Sequence, residues 1–242
     1  MSRYLRTFVA IAAIGSLAAC GARKQHDTLA MEGQNMRVEL AETYIAKGAR
    51  NAAIPLLQRA IAERPNEPHI RVLYGTVLRD LGLYIQAEQQ FKFALELGPG
   101  LAPAYAALGI LYDLQQEPAR AQKFHRRAVE ITPSHAAYRN NLGFSLYLAG
   151  DTRGAVLELE RALALDPSMT VSYNNLGFAY GRLGNFEKAE RSFRAVGSKS
   201  ATLMNMSVVY EENGDAERAA TTREQAYALA PDLRPTVEEI AQ

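Results

Sequence analysis

The chain has 242 residues, of which 48% are hydrophobic and 22% are charged, and its formal net charge at pH 7 is +1. This composition is not that of a disordered chain, and its length suits one good-sized domain or an array of small units. A net charge so close to zero disfavours nucleic-acid binding, because it provides no long-range field that would attract a polyanion.

The N-terminus has the pattern of a lipoprotein signal peptide over residues 1–19. Arg3 and Arg6 precede an apolar run of about a dozen residues, which is too short to span a bilayer as a mature helix. The run ends in Leu-Ala-Ala-Cys, and Cys20 is the only cysteine of the chain. These four residues resemble the bacterial lipobox, which implies that the Cys20 sulfur receives a diacylglycerol. An ordinary signal peptide followed by a chance cysteine is the alternative.

The mature chain is therefore predicted to begin at Cys20 and to be held at a membrane by lipid without spanning it. In the lipoproteins that this N-terminus resembles, an aspartate directly after the cysteine favours retention in the inner membrane. Gly21 stands there instead, which implies the periplasmic face of the outer membrane. Residues 20–33 are predicted to form a short lipidated tether, and without a second cysteine no internal disulfide can form.

The rest of the chain is repetitive, with a period of 34 residues. Six units begin at Gln34, Pro68, Ala102, Ala136, Thr170 and Ser200. In every unit the eighth residue is small and the twentieth is alanine, and proline closes five of the six. Small residues at these positions let two antiparallel helices approach closely, and proline ends the second helix. The fifth unit is four residues shorter and lacks its proline, which predicts that its second helix ends early, near Gly197.

This pattern is similar to the tetratricopeptide repeat. The resemblance implies an all-α fold, a tetratricopeptide-repeat superhelix of about six helix-turn-helix repeats in which each repeat contacts its neighbours. The array is predicted to span residues 34–231. Because proline suits the first turn of a helix, Pro235 favours a short C-terminal closing helix within residues 232–242.

The first helices of such an array line its concave surface, and helical spacing assigns repeat positions two, five, nine and twelve to that face. The first two repeats place polar and mixed residues there, whereas the later repeats place aromatic and aliphatic ones. A contiguous exposed apolar surface favours a protein partner; packing of Phe144 and Phe178 against neighbouring helices is the alternative. The predicted partner-binding groove comprises Ile110, Asn140, Asn141, Phe144, Tyr147, Asn174, Asn175, Phe178, Met204, Asn205 and Val208.

Asparagine occupies the sixth position of the last three repeats, as Asn141, Asn175 and Asn205. In several tetratricopeptide proteins that bind extended peptides, asparagines at this position line the groove as a ladder. The chemistry suits that role, because one carboxamide both donates and accepts and so matches a peptide N–H and C=O. The alternative is that these asparagines bond to the preceding repeat. No lysine or arginine occupies the second position of any repeat, so a basic clamp for a carboxyl terminus is absent there.

No catalytic or metal site is indicated by the sequence. The four histidines, which lie in different segments without metal-ligand spacing, are interpreted as surface or packing residues. They are His26, His69, His125 and His135. There is no phosphate-cradling glycine loop. The chain is predicted to be no enzyme and to carry no cofactor other than the lipid on Cys20.

A lipobox followed by about six such repeats, with "YRNNLGFSLYLAGDTRGAVLELERALALDP" and "YNNLGFAYGRLGNFEKAERSFRAV" in the second half, resembles the TadD-like lipoproteins of the tight-adherence (Tad/Flp) pilus. The resemblance implies a pilotin, an outer-membrane lipoprotein that binds the pilus secretin subunit and promotes its targeting and assembly. A type IV pilus pilotin and a periplasmic lipoprotein adaptor that scaffolds cell-wall enzymes are the alternatives.

Overall fold

The structure, a computed structural model, describes residues 35–234. Within this range the chain forms twelve α-helices and one 3-10 turn, and no β-strand. Successive helices pair into helix-turn-helix units, so the predicted all-α fold class is confirmed. The chain divides at Pro99 and Gly100 into two compact units.

The first unit contains the first four helices. They are α1 (residues 35–46), α2 (Arg50–Glu63), α3 (Pro68–Asp80) and α4 (Tyr84–Leu97). The core of this unit is formed by alanines and large aliphatic residues such as Leu57, Ile70 and Val77, each at most 1% exposed. Because helix propensity alone is weak, burial of these apolar faces is what stabilises the short helices.

The second unit contains the other eight helices. They are α5 (Ala102–Leu114), α6 (Pro118–Ile131), α7 (Ala136–Leu148), α8 (Thr152–Leu165), α9 (Thr170–Arg182), α10 (Phe186–Arg194), α11 (Lys199–Glu212) and α12 (Ala216–Leu229). A continuous core runs through α7 to α11 and includes Leu142, Leu159, Leu176 and Phe193. The first helices α5, α7, α9 and α11 also contact one another in sequence, which places side chains of neighbouring repeats side by side.

The small residues of each repeat lie where two helices come closest. All six alanines at the twentieth repeat position are at most 2% exposed. At the eighth position, a Cβ added to Gly177 of α9 would lie only 2.5 Å from Cε1 of Phe193 in α10. A larger residue there would push the two helices apart, which explains in physical terms why small residues recur with the repeat period.

The turn between the two helices of a repeat is made by a residue with positive φ. Five repeats use glycine there, with φ between 73° and 86°, at Gly48, Gly82, Gly150, Gly184 and Gly214. The third repeat has Gln116 at the same place, with φ of 60°. Since the left-handed conformation costs a non-glycine residue about 1 kcal/mol, this glutamine is the one strained turn among the six.

The fifth repeat has a short second helix, as its four-residue deletion predicts. α10 has 9 residues and ends at Arg194, whereas α8 and α12 have 14 each. Ser198 then caps α11 by accepting a hydrogen bond from the backbone N–H of Ala201.

Several sequence predictions fall on residues outside the described range. They are the signal peptide 1–19, Cys20 and the tether 20–33, and residues 235–242 of the predicted closing helix. The chain just before that last segment forms the 3-10 turn Pro231–Leu233. Among the described helices, none combines the length and the apolar character needed to cross a bilayer.

Candidate functional site

A groove of about 670 Å³ crosses the second unit over α5, α7 and α9. It brings together five residues of the predicted partner-binding set, namely Ile110, Asn140, Asn141, Phe144 and Asn175. Its lining also contains five residues outside that set, Asp113, Leu114, Gln116, Leu148 and Val171.

The walls of the groove are apolar side chains that remain open to solvent. Leu114, Phe144, Leu148 and Val171 are 52%, 39%, 46% and 49% exposed, respectively. Leu114 and Leu148 follow Ile110 and Phe144 by four residues, so each pair shares a helix face. This i, i+4 spacing is the signal in the sequence that would have identified both leucines. Four exposed apolar side chains around one depression are typical of a site that a partner covers.

Asn140 organises the polar side of the groove. It is 7% exposed, and its Oδ1 accepts hydrogen bonds from Ser172 Oγ at 2.9 Å and from Asn175 Nδ2 at 3.0 Å. Its own Nδ2 donates to Oδ1 of Asn141 at 3.3 Å. Asn140 therefore ties α7 to α9. Of the three asparagines at the sixth repeat position, Asn175 bonds to the preceding repeat through this contact, which is the alternative role of these asparagines.

The same network orients the two asparagines at the sixth repeat position. The Oδ1 of Asn141 and one N–H of Asn175 are used by Asn140. Within the described part of the chain, Asn141 Nδ2 and Asn175 Oδ1 make no further hydrogen bond. A donor from α7 and an acceptor from α9 are therefore both available in the groove, the combination that a peptide C=O and N–H require.

Asp113, at the end of α5, joins the groove to a buried hydrogen-bonded cluster. Its Oδ2 lies 2.8 Å from Nε2 of His125, and its Oδ1 accepts from Ser145 Oγ at 2.7 Å. His125 is fully buried, and its Nδ1 has no partner among the described atoms. Each carboxylate oxygen of Asp113 therefore has one partner in this cluster, His125 or Ser145.

This cluster contains serine, histidine and aspartate, yet its connectivity differs from that of a nucleophilic triad. In a triad the imidazole accepts the serine proton and the carboxylate orients the imidazole. Here the Ser145 hydroxyl donates to Asp113 instead, and both Ser145 and His125 are fully buried. The arrangement supports helix packing, which is the role that the sequence analysis assigned to His125.

Tyr147, another residue of the predicted set, lies beside the groove and ties three first helices together. The Cζ of Arg182 in α9 lies 3.6 Å from the centroid of the Tyr147 ring, and its Nη1 donates to the Tyr147 carbonyl oxygen at 2.8 Å. The Tyr147 hydroxyl donates to Oε2 of Glu212 in α11 at 3.2 Å. Burial raises the pKa of Tyr147 to about 12, so the hydroxyl stays protonated and keeps this bond at any physiological pH.

Comparison with known families identifies the fold. Two models of the tetratricopeptide-repeat family match the chain, over residues 38–102 and 170–196. The described helices have the tetratricopeptide-repeat fold. Repeats of this kind form extended surfaces for binding proteins.

Two solved structures have a similar fold, and one further protein is similar in sequence over a short segment. The solved structure of PilW, a widely conserved type IV pilus biogenesis factor, is 18% identical, with a TM-score of 0.72 over 86% of this chain and 98% of that one. PilF of Pseudomonas aeruginosa is 16% identical, with a TM-score of 0.69 over 87% and 96%. At these identities the likeness shows the fold alone. The Vi polysaccharide export protein VexE of Salmonella typhi is 36% identical over 73 residues, which are 29% of this chain and 11% of that protein.

The remaining residues of the predicted set lie on the first helices α9 and α11 but do not line the groove. Phe178 is half-buried in the core and contacts the Phe193 ring edge-on, with centroids 5.0 Å apart and an interplanar angle of 69°. Val208 is 39% exposed. Asn174, Met204 and Asn205 are half-buried.

No metal site is found among the described residues, where no three His, Cys, Asp or Glu side chains converge. His69 is exposed, and His135 is exposed and stacks on Tyr138 with ring centroids 3.9 Å apart. His26 lies outside the described residues. The described histidines thus occupy surface and packing positions.

Proposed function

We propose that this tetratricopeptide protein is a non-enzymatic binding protein that holds an extended segment of a protein partner in the groove over α5, α7 and α9. The observation that carries the proposal is the set of four wall side chains, 39–52% exposed, around carboxamides oriented by Asn140. The apolar walls would bury side chains of the segment, and the carboxamides of Asn141 and Asn175 would bond its main chain.

We propose that the partner is the secretin subunit of a pilus system and that the protein is a pilotin of the Tad/Flp type. The lipobox ending at Cys20, the tetratricopeptide array and the asparagine-rich fourth and fifth repeats support this function. The likeness in fold to the pilus biogenesis factor PilW agrees with it. That likeness also favours the second candidate, a pilotin of a type IV pilus, which would bind the secretin of that system instead.

Co-purification tests the pilotin function. The full chain with a C-terminal affinity tag is produced in its own host, extracted from outer membranes in mild detergent and captured, and the proteins bound to it are identified by mass spectrometry. We expect the Tad/Flp secretin to be recovered in amounts comparable to the bait. Recovery of a type IV pilus secretin would support the second candidate, and recovery of cell-wall hydrolases without a secretin would contradict both pilotin proposals.

We further propose that the protein is anchored by a lipid on Cys20 at the periplasmic face of the outer membrane. In Cys20→Ser the acyl acceptor is lost, and the chain has no other cysteine to replace it. Because acyl chains contribute about 0.8 kcal/mol per buried methylene, we expect this variant to leave the outer-membrane fraction and appear in the soluble periplasm. Fractionation and metabolic labelling with a radioactive fatty acid measure this.

Ser16→Ala is the matched control for the lipidation experiment, because it changes a residue of the same apolar segment without touching the acyl acceptor. It should remain labelled and in the outer membrane. Continued outer-membrane fractionation of Cys20→Ser would contradict the lipid anchor.

A further inference from the structure

We infer that the groove selects a segment in which a lysine or arginine adjoins apolar residues, and that Asp113 and Gln116 together bind its cationic group. This inference rests on the proposed function only in requiring that the groove holds a protein segment. It does not depend on the segment belonging to a secretin.

The charge on Asp113 is the first argument. Its side chain is 9% exposed, it lines an otherwise apolar and carboxamide-bearing groove, and no lysine or arginine is among the groove's lining residues. Its two oxygens are contacted by His125 and by Ser145. A nearly buried carboxylate with no lysine or arginine in the groove lining favours a cationic group on the occupant, because each of its oxygens can accept another hydrogen bond.

Gln116 provides the second, independent argument. It occupies the turn position that is glycine in the other five repeats, and it does so with a positive φ of 60°. Its side chain lines the groove together with that of Asp113, and its backbone N–H bonds to the Asp113 carbonyl oxygen at 3.0 Å. Strained backbone that places a polar side chain at a site is a sign of function. The carboxamide oxygen of Gln116 adds an acceptor for a cation bound at Asp113.

The charge on Asp113 also excludes other occupants of the groove. A carboxyl terminus or an acidic segment would meet Asp113 with no cation in the groove lining to offset the repulsion. The four apolar wall residues favour side chains without charge over the rest of the groove. The occupant is therefore an internal segment with apolar residues and one basic residue placed at the Asp113 end.

A peptide library tests this selectivity without a known partner. The full chain, purified in detergent, is incubated with a random library of nine-residue peptides that are acetylated and amidated so that they lack terminal charges. The most enriched peptide is then labelled, and its affinity is compared with those of analogues carrying norleucine or glutamate in place of its basic residue. Fluorescence anisotropy at low ionic strength gives the dissociation constants.

We expect the wild type to bind the basic peptide at least about tenfold more tightly than the norleucine analogue, since charge-assisted hydrogen bonds are among the strong ones. In Asp113→Asn this preference should fall below about twofold. The asparagine can still accept a hydrogen bond from His125 and donate one to the Ser145 hydroxyl. We therefore expect this variant to fold. Asp232→Asn, which removes an exposed carboxylate in the 3-10 turn, is the matched control and should keep the full preference.

Gln116→Gly provides a test that does not alter the buried cluster. Because glycine relieves the positive-φ strain, this variant should unfold at a higher temperature, yet it should show a reduced preference for the basic peptide. A wild type that does not distinguish lysine from norleucine, or that prefers glutamate, would overturn the inference, as would an undiminished preference in Asp113→Asn. If the preference for the basic peptide holds and no secretin co-purifies, the pilotin proposal fails while this inference stands. If a secretin co-purifies and the basic peptide is not preferred, this inference fails while the pilotin proposal stands.

Discussion

Phe144→Glu is expected to abolish partner binding while the protein remains folded. The Phe144 ring is 39% exposed and forms a wall of the groove, so its replacement removes apolar contact and places a charge against the bound segment. Central aromatic residues of an interface contribute about 2 kcal/mol or more, which is about thirtyfold in Kd. Capture of the secretin from detergent extracts, together with anisotropy on the library-selected peptide, measures the loss.

Leu157→Glu is the matched control for this experiment. Leu157 is 47% exposed, but it lies on α8, the second helix of the same repeat, and does not line the groove. The control changes an exposed apolar residue to the same charged one and should bind normally. Normal binding by Phe144→Glu, or a circular dichroism spectrum without helical signal, would contradict the proposed groove.

Phe178→Glu is expected to destabilise the second unit rather than to affect binding selectively. The ring packs edge-on against Phe193 in the core, where a carboxylate would lose its hydration without gaining a cation. Truncating a core phenylalanine costs about 3–5 kcal/mol, and burying a charge adds to that cost. We expect a free energy of unfolding lower by at least about 3 kcal/mol, measured by urea unfolding followed by circular dichroism.

Phe178→Leu separates volume from charge at this position. It keeps an apolar side chain in the core and should lower the free energy of unfolding by no more than about 1.5 kcal/mol. If Phe178→Glu unfolds at the urea concentration of the wild type, the ring is not a core residue and belongs with the binding surface.

These two phenylalanines show how far sequence reasoning reaches. They occupy the same repeat position 34 residues apart, and periodicity places both on the face of the first helix. In the fifth repeat, the residue of the second helix packed beneath is Phe193, whose ring contacts Phe178. In the fourth repeat it is Leu159, which packs against Gly143. The size of a residue on another helix therefore decides how each ring is surrounded.

Asn140 and Asn141 show the same limit of prediction from the sequence. The two asparagines are adjacent on α7 and both line the groove, yet Asn140 is buried and bonded to α9, whereas Asn141 Nδ2 has no hydrogen-bond partner within residues 35–234. Which carboxamide bonds to the next repeat depends on the position of Ser172 across the helix interface. Successive residues of a helix are about 100° apart around its axis, so the orientation of α7 against α9 decides which of the two asparagines faces the helix interface.

The sequence by itself determined the all-α repeat array, its 34-residue register and the short second helix of the fifth repeat. These features follow from local rules, because small residues, turn glycines and closing prolines act within a single helix pair. Only the tertiary structure decided which residues form the groove and which support it. Asp113, His125 and Ser145 come from three helices and meet only when α5, α6 and α7 pack. Contacts between repeats depend on crossing geometry and on the volume of each neighbour, neither of which a periodic pattern specifies.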